Sequence, residues 1–175
     1  LIEAAERRRD LRPVLHDVAE EIAAVPQDRS RRKPLVGVVG EIYCRLNAFS
    51  NEDAVRRIER LGGECWLSDV SEWVWYTNWC REDDRARERG RLNLGFWKLR
   101  LKSAYQHEYE RTLMAPVAED FRGYEEPHDI AEVLRHSEPY LPATGALGEM
   151  TLSVGKAVYL YHKGADGILD ISPFT

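Results

Sequence analysis

The sequence predicts an α/β fold with a small parallel sheet of three strands, and three observations lead to this prediction. Residues 35–39 form a continuous apolar run without alternation, which is typical of a buried parallel strand. A helix-like segment and a second strand-like run at 64–68 follow at the spacing of a βαβ unit. A third strand-like run at 167–171 follows another helix-like segment. We expect a Rossmann-like sheet of order 2-1-3, with the first strand in the centre.

The segment before the first strand predicts a helix and a linker. Leu11, Val18 and Ile22 recur at helical spacing among charged residues, which predicts a helix over 1–25. Residues 26–34 contain two prolines and four basic residues, and proline interrupts helices. We therefore interpret 1–34 as an N-terminal helix and basic linker, and 35–175 as the α/β domain.

Helical patterns dominate the chain between the strands. A helix is predicted over 51–61, with Ser50 and Asp53 as a capping box and Gly62 at its end. Residues 69–148 predict a large helical insertion between strands two and three, mainly helical to 120 and with a short helix near 128–136. A last helix is predicted over 149–162, before the third strand.

Composition restricts the classes of function. The 175 residues carry a net charge of −5, and no nucleic-acid-binding motif or membrane-spanning apolar run is present. Three cysteines without metal-type spacing argue against a disulfide framework and favour the cytoplasm. We therefore expect neither nucleic acid nor membrane as a partner, and no metal site within this chain. The basic residues between 81 and 102 indicate either a solvated helical face or a docking face for an acidic partner.

The ends of the sequence and its tryptophans lead to two further expectations. The chain begins without Met and ends directly after a strand-like run, so we interpret it as a fragment of a longer protein. All five tryptophans lie between 66 and 97, which leaves a core, an interface and ligand stacking open as their roles.

The loop after the first strand is the first candidate site. It carries Glu41, Tyr43, Arg45 and Asn47 and leads into the N-terminus of a helix, where N–H groups favour an anion. Arg45 could add a charge-assisted contact to a phosphate or carboxylate. Open α/β sheets bind ligands at this position, although a plain connecting loop is the alternative.

The start of the last helix is the second candidate site. It carries Ser153 and Lys156 shortly after a glycine-bearing loop. Because parallel strands direct their following loops to one edge of the sheet, we expect Arg45 and Lys156 to face the same crevice. The alternative is an ordinary first helical turn with a solvated lysine. No catalytic residue can be assigned from these patterns.

Three segments together resemble a known family. They are residues 36–51 (VGVVGEIYCRLNAFSN), 67–73 (LSDVSEW) and 152–174, which includes LSVGKA and KGADGILDISPF. The combination resembles the dehydratase-like part of CoA-substrate-specific enzyme activases. These proteins are related to the 2-hydroxyacyl-CoA dehydratases and their ATP-dependent activators.

The resemblance implies radical chemistry on acyl-CoA. In the family an activator hydrolyses ATP and passes an electron to a dehydratase. The dehydratase holds a cysteine-ligated four-iron four-sulfur cluster and removes water from a 2-hydroxyacyl-CoA. The resemblance therefore implies acyl-CoA as substrate and an ATP-dependent activator as partner.

Two departures from the family concern cysteine. Cys44 stands where relatives carry an aliphatic residue, and the cysteine-containing loop that follows the Ser-Pro-Phe run in relatives is absent. We therefore expect no cluster in this fragment, although the resemblance implies one for the full-length protein. The alternative function is a non-catalytic scaffold or docking domain that positions a partner ATPase.

Overall fold

The computed structural model describes residues 5–7, 10–26, 30–119, 123–127, 129–146 and 148–173. The predicted segments 1–25, 26–34 and 128–136 fall in part outside these residues. The elements in chain order are α1 (Arg12–Ala23), β1 (Leu35–Gly40), α2 (Ile42–Leu46), α3 (Ala54–Arg60), β2 (Glu64–Leu67), α4 (Val70–Arg89), α5 (Leu94–Met114), a 3₁₀ turn (Ala115–Val117), α6 (Ile130–Ser137), α7 (Met150–His162) and β3 (Gly167–Ile171).

The strands form a parallel three-stranded sheet of order β2-β1-β3, which confirms the predicted α/β class and the central position of the first strand. Val36 is the Cα partner of Cys65 on one side and of Gly167 on the other. Residues 37–40 of β1 are fully buried because both neighbouring strands cover its edges. An apolar run without alternation therefore identified the strand that has no exposed face.

The segment between β1 and β2 differs from the prediction. Residues 42–46, expected to lie in a loop, form the short helix α2. The predicted Ser50 capping box is wrong, because the side-chain oxygen of Asn51 accepts the hydrogen bond from Ala54 N at 3.2 Å. Glu52 and Asp53 precede α3 with φ of 53° and 59°, so the helix starts three residues later than predicted.

Side-chain caps fix the ends of the later helices. The Asp69 side chain caps the N-terminus of α4 by accepting a hydrogen bond from Glu72 N at 2.7 Å. The Asp129 side chain caps α6 by accepting a hydrogen bond from Ala131 N. Gly90 ends α4 with a φ of 73°, which glycine adopts without steric cost. No helix among the described residues has both the length and the apolar character needed to cross a membrane.

The chain divides into two compact units. One unit comprises residues 1–31 and 101–126, in which Ala19 of α1 and Val117 of the 3₁₀ turn are buried. The other comprises residues 32–100 and 127–175 and contains the sheet. Two apolar clusters form the core of this second unit: Tyr76, Ile130, Val133, Leu134, Ala143 and Leu152 in the first, and Val39, Trp66, Tyr159, Leu160 and Ala165 in the second.

The tryptophans have different environments. Trp66 belongs to β2 and is buried in the second apolar cluster. Trp75 and Trp79 are half-buried and pack against the first cluster. Trp97 is 59% exposed on α5. The core interpretation therefore holds for Trp66 and in part for two others, but not for Trp97.

Candidate functional site

A cleft of about 480 Å³ lies at the carboxyl edge of the sheet, where β1 and β3 end. We call it the sheet-edge cleft. The residues that line it follow β1, begin α7 or follow β3: Glu41, Tyr43, Cys44, Gly148, Glu149, Met150, Ser153, Ser172 and Pro173. Open α/β sheets bind ligands outside the carboxyl ends of their strands, so this position fits a ligand site.

A tight turn from β1 into α2 positions the first wall of the cleft. Gly40 has a φ of 116°, and Glu41 N donates a hydrogen bond to Ile171 O of β3 at 3.0 Å. A Cβ atom on Gly40 would overlap the Ile171 carbonyl group. Only glycine therefore allows the two strand ends to lie this close.

Two carboxylates cap the N-terminus of α2. Glu41 accepts a hydrogen bond from Cys44 N at 2.8 Å, and Glu149 accepts one from Ile42 N at 3.0 Å. These N–H groups are the donors that a bound anion would otherwise use. The protein's own carboxylates therefore occupy the N-terminus of α2, a helix that was not predicted. The sequence prediction placed the anion at the N-terminus of the helix over 51–61, where the Asn51 side chain accepts the hydrogen bond from Ala54 N.

The pKa values of Glu41 and Cys44 are shifted in opposite directions. Burial raises the pKa of the Glu41 carboxyl. This effect is outweighed by hydrogen bonds from the Cys44 and Tyr43 backbone and from the Cys44 thiol, and by the charge of Arg45, so the pKa is lowered. Burial raises the pKa of the Cys44 thiol, and the adjacent Glu41 carboxylate raises it further. Glu41 therefore stays ionised while Cys44 stays a thiol near neutral pH.

Glu149 connects three elements across the cleft. Besides its bond from Ile42 N, it accepts a hydrogen bond from the indole Nε1 of Trp73 at 2.7 Å. The Tyr76 hydroxyl donates to Gly148 O at 2.6 Å, and burial raises the pKa of this phenol. Two side chains of α4 thus hold the loop that begins α7.

A buried charge cluster lies behind the cleft. Lys156 Nζ lies 2.6 Å from Glu72 Oε2, and Arg45 Nη1 lies 3.7 Å from Glu72 Oε1. The three residues are 0%, 4% and 3% exposed in the order Lys156, Glu72, Arg45. Arg45 also donates to Asp69 O at 3.0 Å, which connects α2 to the start of α4. The charge cluster joins α2, α4 and α7, in addition to the apolar packing between Tyr76 of α4 and Leu152 of α7.

The structure brings five of the six predicted site residues to one edge of the sheet. Glu41, Tyr43 and Ser153 line the cleft itself. Arg45 and Lys156 were predicted to face this crevice, but neither lines the cleft, and both pair with Glu72 inside the protein. The alternative of a solvated lysine is therefore wrong.

Asn47 is the predicted site residue that lies elsewhere. Its side-chain oxygen accepts hydrogen bonds from Phe49 N and Ser50 N, each at 3.0 Å. The side chain therefore stabilises the turn before α3, and Asn47 is not among the residues that line the cleft. For Asn47, the structure therefore fits the alternative that the segment after the first strand is a plain connecting loop.

Sequence reasoning did not assign three residues that shape the cleft, namely Glu72, Trp73 and Glu149. One signal was available for Glu72: it lies four residues before Tyr76 and seven before Trp79, so a charge falls on the apolar face of α4. Glu149 was visible as the acidic residue that precedes α7. No local pattern indicated its bond to Trp73, which lies 76 residues away in sequence.

The described cysteines do not fit an iron–sulfur cluster. Cys44 lines the cleft, Cys65 Sγ lies 3.7 Å from Val55 O, and Cys80 packs against the first apolar cluster. In the described part of the chain, no three His, Cys, Asp or Glu side chains come together as metal ligands. A cluster needs several converging thiolates, so no step proposed below depends on one.

No protein-family model matches the chain, and neither a curated protein nor a solved structure matches it.

Proposed function

We propose that the chain is a Rossmann-like domain of a cytoplasmic protein related to the 2-hydroxyacyl-CoA dehydratases and their activators, and that the sheet-edge cleft binds the acyl end of an acyl-CoA. In this proposal residues 69–148 are a helical insertion between strands two and three. The four-iron four-sulfur cluster implied by the resemblance stays a prediction for a longer protein.

The observation that carries the proposal is that the residues of the resembling segments line the cleft. Glu41, Tyr43 and Cys44 belong to the first segment, whereas Ser153 and Ser172 belong to the third. The two segments lie about a hundred residues apart in sequence, and the parallel order of β1 and β3 brings them to one edge. A shared ligand site is a physical reason for these segments to occur together.

The size and lining of the cleft support an acyl ligand. Its volume of about 480 Å³ falls in the range of small-molecule sites. Tyr43, Met150 and Pro173 supply apolar surface, while Ser153 supplies a hydroxyl that could orient a carbonyl group. The CoA phosphates would lie outside the cleft, because Glu41 and Glu149 already cap α2.

Calorimetric titration with 2-hydroxypentanoyl-CoA tests this function. We expect saturable binding that free CoA does not reproduce, because the acyl end makes the contacts. Ser153→Ala should weaken binding about tenfold, the effect of one lost hydrogen bond in a closed site. The exposed Ser50 provides the control, since Ser50→Ala should leave affinity unchanged. Absence of saturable binding, or equal binding of free CoA, would contradict the function.

One surface feature favours the alternative function of a docking domain. Leu92 is 98% exposed, and Leu94 and Trp97 are 69% and 59% exposed at the start of α5. The exposed basic residues Arg91 and Lys98 flank them. An apolar centre with a basic rim fits a partner with an acidic rim, which we propose is the ATP-dependent activator.

Interferometry with a purified ATP-dependent activator tests this alternative. Trp97→Ser should weaken the complex at least about tenfold, as expected for a central aromatic contact. Leu61 is an exposed apolar residue elsewhere, at 89% exposure, so Leu61→Ser is the control and should change little. Equal losses in both variants, or no complex at all, would count against docking at this surface.

A further inference from the structure

We propose that the sheet-edge cleft admits an uncharged acyl end and rejects one that carries a free carboxylate. This inference rests on the proposed function for the identity of the ligand. The preference of the cleft for an uncharged over an anionic group is argued from the residues of the cleft alone. It concerns the acyl group that enters the cleft and not the phosphates of CoA.

Two carboxylates on the wall of the cleft are the first reason. Glu41 and Glu149 both line it, and each already accepts a backbone hydrogen bond from α2. Their remaining lone pairs accept hydrogen bonds but offer nothing to an anion. A ligand hydroxyl can donate to them, whereas a ligand carboxylate would meet like charge.

The cations near the cleft do not reverse this preference. Arg45 and Lys156 are buried behind the wall and share the carboxylate of Glu72. With Glu41 and Glu149, these five residues comprise three carboxylates and two cations, which is a formal charge of −1 for the five. Burial raises the pKa of Glu41, but backbone hydrogen bonds from Cys44 and Tyr43, with a smaller contribution from Arg45, lower it. Neither Arg45 nor Lys156 is among the residues that line the cleft.

Ser153 supplies a hydroxyl to the same cleft. The residue lines the cleft and is 7% exposed. A hydroxyl both donates and accepts, so a ligand carbonyl or hydroxyl can form a hydrogen bond with it. Met150 and Pro173 line the same cleft and suit an aliphatic chain beyond that polar group.

Alkylation of Cys44 measures charge selection without any assumption about the ligand. The thiolate attacks the methylene carbon of iodoacetamide or iodoacetate, a C–S bond forms, and iodide leaves. We expect the rate ratio of the neutral to the anionic reagent at Cys44 to exceed that of N-acetylcysteine amide about tenfold. Peptide mass spectrometry separates Cys44 from Cys65 and Cys80.

Charge-removing variants identify the origin of the ratio. Glu41→Gln should reduce it severalfold, because the carboxylate beside the Cys44 thiol is lost. This change also alters the thiolate fraction, but that effect cancels in the ratio of two reagents. Glu88→Gln changes an exposed carboxylate on α4 and serves as the matched control. A ratio equal to that of the free thiol, no change in Glu41→Gln, or failure of both reagents to reach Cys44 would overturn the proposal.

A matched pair of thioesters then tests the acyl specificity. 2-Hydroxypentanoyl-CoA and 2-hydroxyglutaryl-CoA have the same five-carbon chain and differ in a terminal methyl or carboxylate group. We expect the first to bind at least about tenfold more tightly, with a smaller gap in Glu41→Gln. Equal affinities would overturn the acyl specificity. If neither thioester binds while the alkylation ratio is high, the proposed function fails and the charge selection of the cleft stands.

Discussion

Replacing Glu72 with alanine should destabilise the folded chain by about 3 to 5 kcal/mol. The substitution removes a carboxylate that lies 2.6 Å from Lys156 Nζ and 3.7 Å from Arg45 Nη1, and both cations are almost fully buried. The two buried cations would lose this carboxylate, and their desolvation would be offset less well. Urea unfolding followed by circular dichroism at 25 °C measures the change in free energy.

The matched control and a double substitution make this result specific. Glu88 is exposed on the same helix, so Glu88→Ala should change stability by no more than about 0.5 kcal/mol. Lys156→Met combined with Glu72→Gln should cost less than the sum of the two single changes, because the pair is in contact. Additive effects, or a loss in Glu72→Ala no larger than the control, would show that the cluster does not hold α4 and α7 together.

The sheet could be predicted from the sequence because burial left a direct pattern. β1 has neighbours on both edges and is buried over its last four residues, so its sequence has no polar alternation. The prediction placed the start of each strand correctly and misplaced only the ends of β1 and β2, by one residue each. Strand ends depend on the next turn, here Gly40 and Glu41, which a short window does not resolve.

The short helices could not be predicted in the same way. α2 has five residues, which is less than two helical turns and too short for a periodic apolar pattern. Its N-terminus depends on Glu149, which lies 107 residues further along the chain from Ile42. Contacts of this kind are set by tertiary structure, and no local propensity indicates them.

The site was predicted in position but not in electrostatics. The rule that parallel strands direct their loops to one edge correctly indicated that Glu41, Tyr43 and Ser153 line one cleft. The sequence suggested that Arg45 and Lys156 would face a ligand, since charged side chains are rarely buried. Their burial is offset in part by Glu72 of α4, and no local pattern indicates that a carboxylate of α4 reaches this site.

The interface between α6 and α7 leads to the second prediction. Gly155 is buried in the middle of α7, and a Cβ atom there would overlap the carbonyl oxygen of Val133 and lie 3.1 Å from its carbonyl carbon. Alanine elsewhere in a helix stabilises it by about 1 kcal/mol relative to glycine. Here the contact is with backbone, which cannot rotate away as a side chain can.

We expect Gly155→Ala to destabilise the chain by about 1 to 3 kcal/mol in urea unfolding, despite the gain in helix propensity. Gly167→Ala is the matched control, because a Cβ at Gly167 meets nothing within 4 Å, and its stability should stay within about 0.5 kcal/mol of the parent. A stabilised Gly155→Ala would show that α6 yields to the added methyl group.

The same substitution should affect ligand binding. Since Ser153 and Lys156 flank Gly155 on α7, an intact interface also fixes the wall of the cleft. Gly155→Ala should therefore weaken 2-hydroxypentanoyl-CoA binding in the fraction that remains folded, whereas Gly167→Ala should not.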